Sequence, residues 1–419
     1  MTYHRTLGSC LMLCFLMTIA TVASAEVSEE RIEELEQELE RLKTEVQQKT
    51  NRLQTDMQEQ KESAFNLNGF MTTGAARASN DAGFDGVTGE TEIQSLTKLG
   101  IQGTLDMTDQ TSATFQLLSR GKQRNREDFE VQLEWGYLSY EMDSGLRLRA
   151  GKMRQPLFYF SDSLDVGFSQ PWARAPRVVY QGEGRLSSFT GIDATYRFDV
   201  AGIPLRSQIY AGITDDQSVN VELRNLVGAV VSWTNYTWTL RAVATRNDAE
   251  FQIIDRKDDS FEVNFQGLAA EYDDGNLNVI SEGIRREAEG PFPDIFAYYI
   301  TTAYRLGDFK PYFNFGWINS VDDSRRRGVT LARTARVPTP GGIQELNVPA
   351  RALNERRNEF SLGMRYDLFS GVALKGDYTH VRSFDDTSGG LSGNRSAAFT
   401  GENNFGNSNI YTVTLDAVF

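Results

Sequence analysis

Residues Leu146 to Gly184 read LRLRAGKMRQPLFYFSDSLDVGFSQPWARAPRVVYQGEG. The stretch opens as a strand: Leu146, Leu148 and Ala150 alternate with Arg147, Arg149 and Gly151, the period of two that sends successive side chains to opposite faces. Pro156 ends the pairing, because proline has no amide hydrogen to donate. A loop of about thirty residues follows, at 154–187, far longer than an ordinary connection. It carries Phe158, Tyr159, Phe160, Phe168 and Trp172 among Arg154, Asp162, Asp165, Arg174, Arg177, Glu183 and Arg185. A loop both aromatic and charged has one side to pack and another to wet. Two placements satisfy it: an ordered surface loop, or a loop folded into the lumen of a β-barrel. The rest of the chain decides between them.

Composition removes several classes. Arg5 precedes an apolar run from about Leu7 to Val22, and Ala23-Ser24-Ala25 supplies small residues at a cleavage position. Residues 1–25 therefore read as a secretory signal peptide, too short for a membrane-spanning helix. Leu7-Gly8-Ser9-Cys10 faintly resembles a lipoprotein box but lacks an apolar core before it. Both cysteines, Cys10 and Cys14, fall in the signal, and beyond it one histidine remains, His380. Disulfides, thiolate metal sites and histidine-based hydrolysis thereby lose their residues, and no catalytic residue, metal or cofactor is predicted. With 57 acidic against 43 basic residues the net charge is −14, which disfavours nucleic acid as a partner. No run of 18 apolar residues follows the signal, so any membrane passage must be by strands.

Residues 26–63 form a helical preface without Gly or Pro. Ile32, Leu39, Val46 and Leu53 take heptad position a, Leu35 and Leu42 take d, and Lys49 and Asp56 make the later d positions polar. This spacing predicts a short coiled coil, best formed in its first half and reaching roughly 50 Å. A single amphipathic helix lying on the body is the alternative.

From about residue 64 to Phe419 the period changes to two. Sixteen strands are predicted at about 66–77, 97–107, 111–120, 131–141, 146–153, 188–198, 204–213, 225–233, 237–246, 261–272, 276–286, 295–305, 309–319, 357–367, 372–382 and 410–419. Every second link is a short run of turn residues, such as Thr108-Asp109-Gln110, Asp143-Ser144-Gly145 and Asp273-Asp274-Gly275. The intervening links are longer: 78–96, 121–130, 154–187, 214–224, 247–260, 287–294, 320–356 and 383–409. A transmembrane barrel requires that segregation, with turns on one side and loops on the other, whereas a soluble sandwich has no reason for it. Tyr411, Val413, Leu415, Ala417 and Phe419 alternate with Thr412, Thr414 and Asp416, one face suited to lipid and one to a wet interior. Trp135, Tyr137, Tyr140, Trp233, Trp238, Tyr298, Tyr304, Phe313, Phe315 and Trp317 are candidates for the aromatic girdles. The predicted fold is all-β: a 16-stranded antiparallel transmembrane barrel behind a short α-helical coiled coil.

Three features resemble Gram-negative outer-membrane porins. The last strand, Tyr411-Thr-Val-Thr-Leu-Asp-Ala-Val-Phe419, is similar to the terminal signal of such barrels. The longest early loop is the third of the long links. Arg149-Ala-Gly-Lys-Met-Arg154, followed by Ser161-Asp-Ser-Leu-Asp-Val-Gly167 and Pro171-Trp-Ala-Arg174, resembles the start of a porin constriction loop. The helical preface is similar to that of coiled-coil-bearing subsets, including DcaP-like and phosphate-selective porins, although the repeated basic ladder of the latter is missing. The resemblance implies a homotrimer in the outer membrane, passive diffusion of small hydrophilic solutes, and often anionic ones.

Sixteen strands leave an aqueous channel where eight would be filled by side chains. By alternation the inner wall carries Lys98, Arg147, Arg149, Arg197, Arg206, Arg241, Arg365 and Lys375 against Asp106, Glu134, Asp193, Glu359 and Asp377. The excess of bases implies an anion-favouring pore; mutual neutralisation would leave it weakly selective. Seven arginines between Arg325 and Arg356 fit either the phosphates of lipopolysaccharide or a plain solvated loop. Outer-membrane lipids are implied partners, and peptidoglycan another if the coiled coil reaches the cell wall. Two rival classes remain open: an outer-membrane enzyme using His380, and a structural anchor in which the barrel is only a mount.

Overall fold

In the computed structural model the described residues are 37, 38, 40–44, 46, 48, 49, and 65–419 apart from 122–127, 181–187, 217–220, 252–259, 290–291, 322–329, 340–341, 350–352 and 401–404. The predicted signal peptide lies outside them, as do Ile32, Leu35, Leu39, Leu53 and Asp56 of the heptads. Contacts divide the chain into two units, Met1–Ala64 and Phe65–Phe419. In the first, the described residues are helical and exposed, Leu42 and Val46 included.

The second unit is built by strand alternation. Its strands are β1 (Phe65–Ala78), β2 (Lys98–Asp106), β3 (Thr111–Arg120), β4 (Val131–Glu141), β5 (Arg147–Arg154), β6 (Ser188–Val200), β7 (Ile203–Asp216), β8 (Val221–Thr234) and β9 (Trp238–Phe251). They continue as β10 (Ser260–Asp273), β11 (Leu277–Ala288), β12 (Ile295–Tyr304), β13 (Phe309–Ser320), β14 (Thr330–Thr339), β15 (Gly342–Pro349), β16 (Arg356–Phe369), β17 (Val372–Arg382) and β18 (Ser408–Val418). Sixteen of these close into one antiparallel barrel, while β14 and β15 pair only with each other. Closure comes from β1 against β18, in register from Phe70↔Val418 to Ala78↔Ile410. Beyond it Gly69 and Phe419 exchange backbone hydrogen bonds of 2.7 and 3.0 Å. A wall in lipid has no water to satisfy a free edge, and closure leaves no edge.

Alternation is strict in β12: Ala297, Tyr299, Thr301 and Ala303 are buried inside, and Phe296, Tyr298, Ile300 and Tyr304 are exposed outside. The interior of the barrel is only partly polar. Tyr210, Val230, Val243, Phe265, Ile280, Ile284 and Tyr299 form an apolar core within it, against Trp172, Val178, Val179 and Tyr180 of the long loop.

The structure departs from the sequence reading in three places. Strands β7 to β10 are each 14 residues long, so residues 214–216 and 221–224 of one expected link, and 247–251 and 260 of the next, are strand. The loop at 320–356 contains the β14–β15 hairpin. Trp135 and Tyr137 do not join a girdle: a bulge where Gln116 and Leu117 oppose β4 makes Glu134 and Trp135 both point inward and shifts the alternation, so Tyr137 packs on the inner core.

Leu268, 70% exposed in the middle of β10, faces outward. Leu268→Arg is expected to destabilise the barrel in lipid vesicles by about 2–4 kcal/mol, and the same change at inward-facing Gln102 by less than about 1 kcal/mol. Urea unfolding of the two variants checks this, and equal costs would refute the assigned faces.

Candidate functional site

The loop leaves β5 at Arg154, and hydrogen bonds or ion pairs to β2, β3, β4, β9, β10, β11, β12, β13, β16 and β17 meet it along its length. Only the inside of the barrel is within reach of all of them.

Its root is charged. Arg154 donates to Ser161 O at 2.7 Å, to Glu134 at 2.6 Å and to Asp165 at 2.5 Å. Arg120 meets both Asp165 oxygens at 3.0 Å and Glu134 at 3.4 Å, and Lys98 Nζ lies 4.0 Å from Asp165. Burial opposes the charge on Asp165. The Arg120 and Arg154 guanidiniums and the Lys98 ammonium outweigh burial and hold the carboxyl well below the usual carboxylate range.

The middle of the loop is aromatic and lies against β10–β13. Phe158 meets Phe265 edge-on at 5.4 Å, and Phe160 meets Trp172 at 5.3 Å. Polar atoms on these rings find partners: Trp172 Nε1 donates to Thr301 Oγ1 at 2.9 Å and Tyr180 OH to Glu282 at 2.6 Å. Tyr159 donates its amide to Glu282 at 2.8 Å and its hydroxyl to Glu271; burial first, then that carboxylate, pushes the phenol up.

Between these parts the chain crosses to β16–β18. Lys375 Nζ donates to Gly167 O at 2.5 Å and Trp172 O at 3.0 Å, and pairs with Asp416 at 3.0 Å. Thr72 also donates to Asp416, at 2.6 Å. A Cβ at Gly167 would run into the Asp416 carboxylate and the Thr72 hydroxyl, so glycine is required by the close approach. Arg365 donates to Phe168 O and Gln170 O and lies over the Phe168 ring.

At the mouth, Asp85 of the first long link pairs with Arg174 at 2.7 Å and Arg177 at 2.9 Å. Glu359 accepts the Arg177 amide at 3.1 Å and pairs with buried Arg357 at 2.7 Å. Arg357 in turn donates to Gly389 O of the last long link at 2.6 Å. Three long loops are thereby joined over β16–β18.

Open space remains between the loop and β1–β5, toward the short-turn end of the wall. A cavity of about 930 Å³ is lined by Asp162, Gln102, Gln116, Trp135, Phe168 and Asp367, among others. A second, about 290 Å³, is lined by Asp106, Tyr137, Ser139, Arg147 and Arg149. Asp162 is exposed at the turn of the loop. Arg147 pairs with Glu141 at 3.0 Å; Asp193 takes Arg149 and, at 2.7 Å, Gln208. Arg241 donates to Pro156 O at 2.5 Å, and Asp377 accepts from Tyr312 at 3.0 Å. Arg197 and Arg206 are exposed. Glu183 and Arg185 lie outside the described residues.

Several charged residues of the site were not among those expected, Arg120, Asp416, Glu282, Glu271, Arg357 and Asp85 among them. Asp416 shares the polar face of Thr412 and Thr414, and Arg120 lies directly opposite Lys98, so alternation carried a signal for both. Asp85 sits in a glycine-rich link with no such pattern.

A family model described as Gram-negative porin matches residues 13–387. The chain belongs to that family. The porin is an outer-membrane channel for passive diffusion. No curated protein matches it in sequence. The fold of this porin is similar to an anion-selective porin from Comamonas acidovorans, with a TM-score of 0.54 and 12% identity over 85% of this chain and 99% of that one. It is similar to the outer membrane channel DcaP of Acinetobacter baumannii, at 0.53 and 11% over 85% and 97%. The trimer form of OmpT from Vibrio cholerae gives 0.52 and 10% over 85% and 99%.

Asp165→Asn leaves Arg120, Arg154 and Lys98 without their shared counter-charge, and removing one partner of a buried pair costs about 3–5 kcal/mol. The variant is expected to show noisier single-channel current and faster proteolysis within 154–187; quiet current and an intact loop would refute the anchoring. A carboxyl with a lowered folded pKa contributes stability above its unfolded value, near 4, and loses it only as pH falls through the lower folded value. Wild-type channel noise should therefore stay flat from neutral pH down to about pH 4.

Proposed function

We propose that small hydrophilic solutes and ions cross the porin past Asp162 of the loop, along the inner wall of β2–β7, with a modest preference for anions. The observation that carries this is the state of the wall charges: Arg197 and Arg206 are exposed and have no ion pair among the described residues, whereas the wall acids Glu134, Asp193 and Glu359 are buried against arginines. Arg197 and Arg206 make the β6–β7 wall locally positive, while the exposed acids Asp106 and Asp162 keep the preference modest. A similar barrel is an anion-selective porin, which agrees with this sign.

In the same reading residues 1–25 are the export signal, the constriction loop spans 154–187, and residues 26–63 are the periplasmic coiled coil of a homotrimer. A trimeric form among the similar barrels supports that assembly. Outer-membrane lipids and lipopolysaccharide surround the wall, and the channel has no enzymatic step.

Planar-bilayer recording across a KCl gradient tests the proposal. Ohmic steps in multiples of three and a reversal potential of the anion-selective sign are expected; a cation-selective potential would refute the charge bias. Deleting residues 26–61 is expected to weaken trimers while leaving unit conductance unchanged. Loss of envelope integrity with trimers and permeation intact would instead assign the helix to a tether on the cell wall.

A further inference from the structure

Two inward positions along β2 and β3 from Lys98 and Arg120, the wall loses its charge. Asn68 on β1 stands opposite Gln102 on β2, Gln102 opposite Gln116 on β3, and Gln116 opposite Trp135 on β4. Neighbouring strands lie about 4.8 Å apart, so three carboxamides and an indole make one row roughly 14 Å long across the wall. All four line the cavity of about 930 Å³ between the wall and the loop, a size usual for small-molecule sites.

The carboxamides of this row are unsatisfied. No side-chain hydrogen bond from Asn68, Gln102 or Gln116 is found among the described residues, and the Gln116 amide nitrogen is buried without a partner. A buried donor left unmade is penalised until something accepts from it. The next inward pair toward the short turns behaves differently, since Thr104 and Thr114 bond each other at 3.2 Å. Across the cavity stand Asp162, an exposed acceptor, and half-buried Phe168. Two guanidiniums hold the aromatic groups in place: Arg154 lies 5.4 Å from the Trp135 ring centroid and Arg365 4.5 Å from that of Phe168.

Neutral carboxamides favour neither sign of ion, so the row adds nothing to a charge filter. Each one both donates and accepts, as a hydroxyl does. Aromatic rings beside them offer an apolar surface for C–H groups. A solute with hydroxyls on its rim and C–H groups on its faces meets both demands at once.

We propose that Asn68, Gln102, Gln116 and Trp135, with Phe168 across the cavity, form a binding subsite for small neutral polyols of the sugar class. The proposal rests on the channel reading above and gives that channel a neutral substrate class. A sugar carries no current, so its occupancy of the passage is read as block of the ions.

The test uses the full-length protein in planar bilayers in KCl, titrated with glucose and with sucrose. The channel current is compared with the fall in conductivity of the same solutions in bulk. Wild type is expected to show a block by one sugar or both that exceeds the bulk fall and saturates. Asn68→Ala and Gln102→Leu should each raise the half-blocking concentration roughly fivefold, the weight of one neutral hydrogen bond. Neither removes a charge, so the reversal potential across a KCl gradient should not move. Ser139→Ala, in the neighbouring cavity, should leave the block unchanged. Heat-modifiability on gels checks that each variant is folded. A wild-type current that falls only as the bulk does, or undiminished block in the folded Asn68→Ala, Gln102→Leu double variant, would overturn the subsite while leaving the channel standing. Block by choline chloride where neither sugar acts would overturn the polyol class and assign the cavity to organic cations. No conductance from folded wild type would overturn the channel reading and this inference with it.

Discussion

A carboxylate taken out of water needs counter-charges held in place, and Asp165 fixes the geometry of the whole interior through that need. Two guanidiniums and an ammonium converge on it from β2, β3 and the end of β5. Such a cluster is stable only with all members present, because any one left alone in a low dielectric is strongly penalised. The loop therefore cannot pivot at its root. Everything beyond Asp165 is placed relative to that point: Gly167 against Asp416, Trp172 against Thr301, Tyr180 against Glu282.

The consequence is a lumen divided into sectors of different chemistry. Toward β8–β13 the wall is apolar and the loop's aromatic rings cover it, so that part of the cross-section is solid. Toward β16–β18 lysine and arginine side chains are spent on loop carbonyls, and three long loops meet above them. The space left open lies against β1–β5, where wall side chains such as Gln102, Gln116, Asp106 and Arg147 are polar and Asp162 of the loop borders them. Sixteen strands would enclose a wide tube, but the loop leaves much less of it open.

Much of the fold is legible without coordinates because alternation and link length are local properties. Each strand shows its two faces within a few residues, and the short turns at Thr108-Asp109-Gln110 or Asp273-Asp274-Gly275 mark one end of the wall. The loop's interior placement also shows through, since Phe158, Phe160 and Trp172 would be costly on an exposed surface. Less legible are events that depend on the opposite strand. The bulge at Glu134–Trp135 becomes visible only in the pairing with Gln116 and Leu117, and it alone turns Trp135 and Tyr137 inward. Parity places arginines on the inner face but cannot distinguish Arg241, tied to the Pro156 carbonyl, from Arg206, which has no ion pair among the described residues. Asp85 is further from any local signal, because its partners lie about ninety residues away and meet it only after the loop has folded inward.

Fixing the loop and setting the field near the passage fall to different residues. The anchors sit on β2–β4 and β16–β18, while Arg197 and Arg206 on β6 and β7 hold nothing else in place. On the proposed charge bias, a change at either arginine would shift which solutes are favoured without disturbing a buried pair. Selectivity in this barrel is thus free to drift between lineages, or to be redesigned, along a route that does not pass through an unstable intermediate.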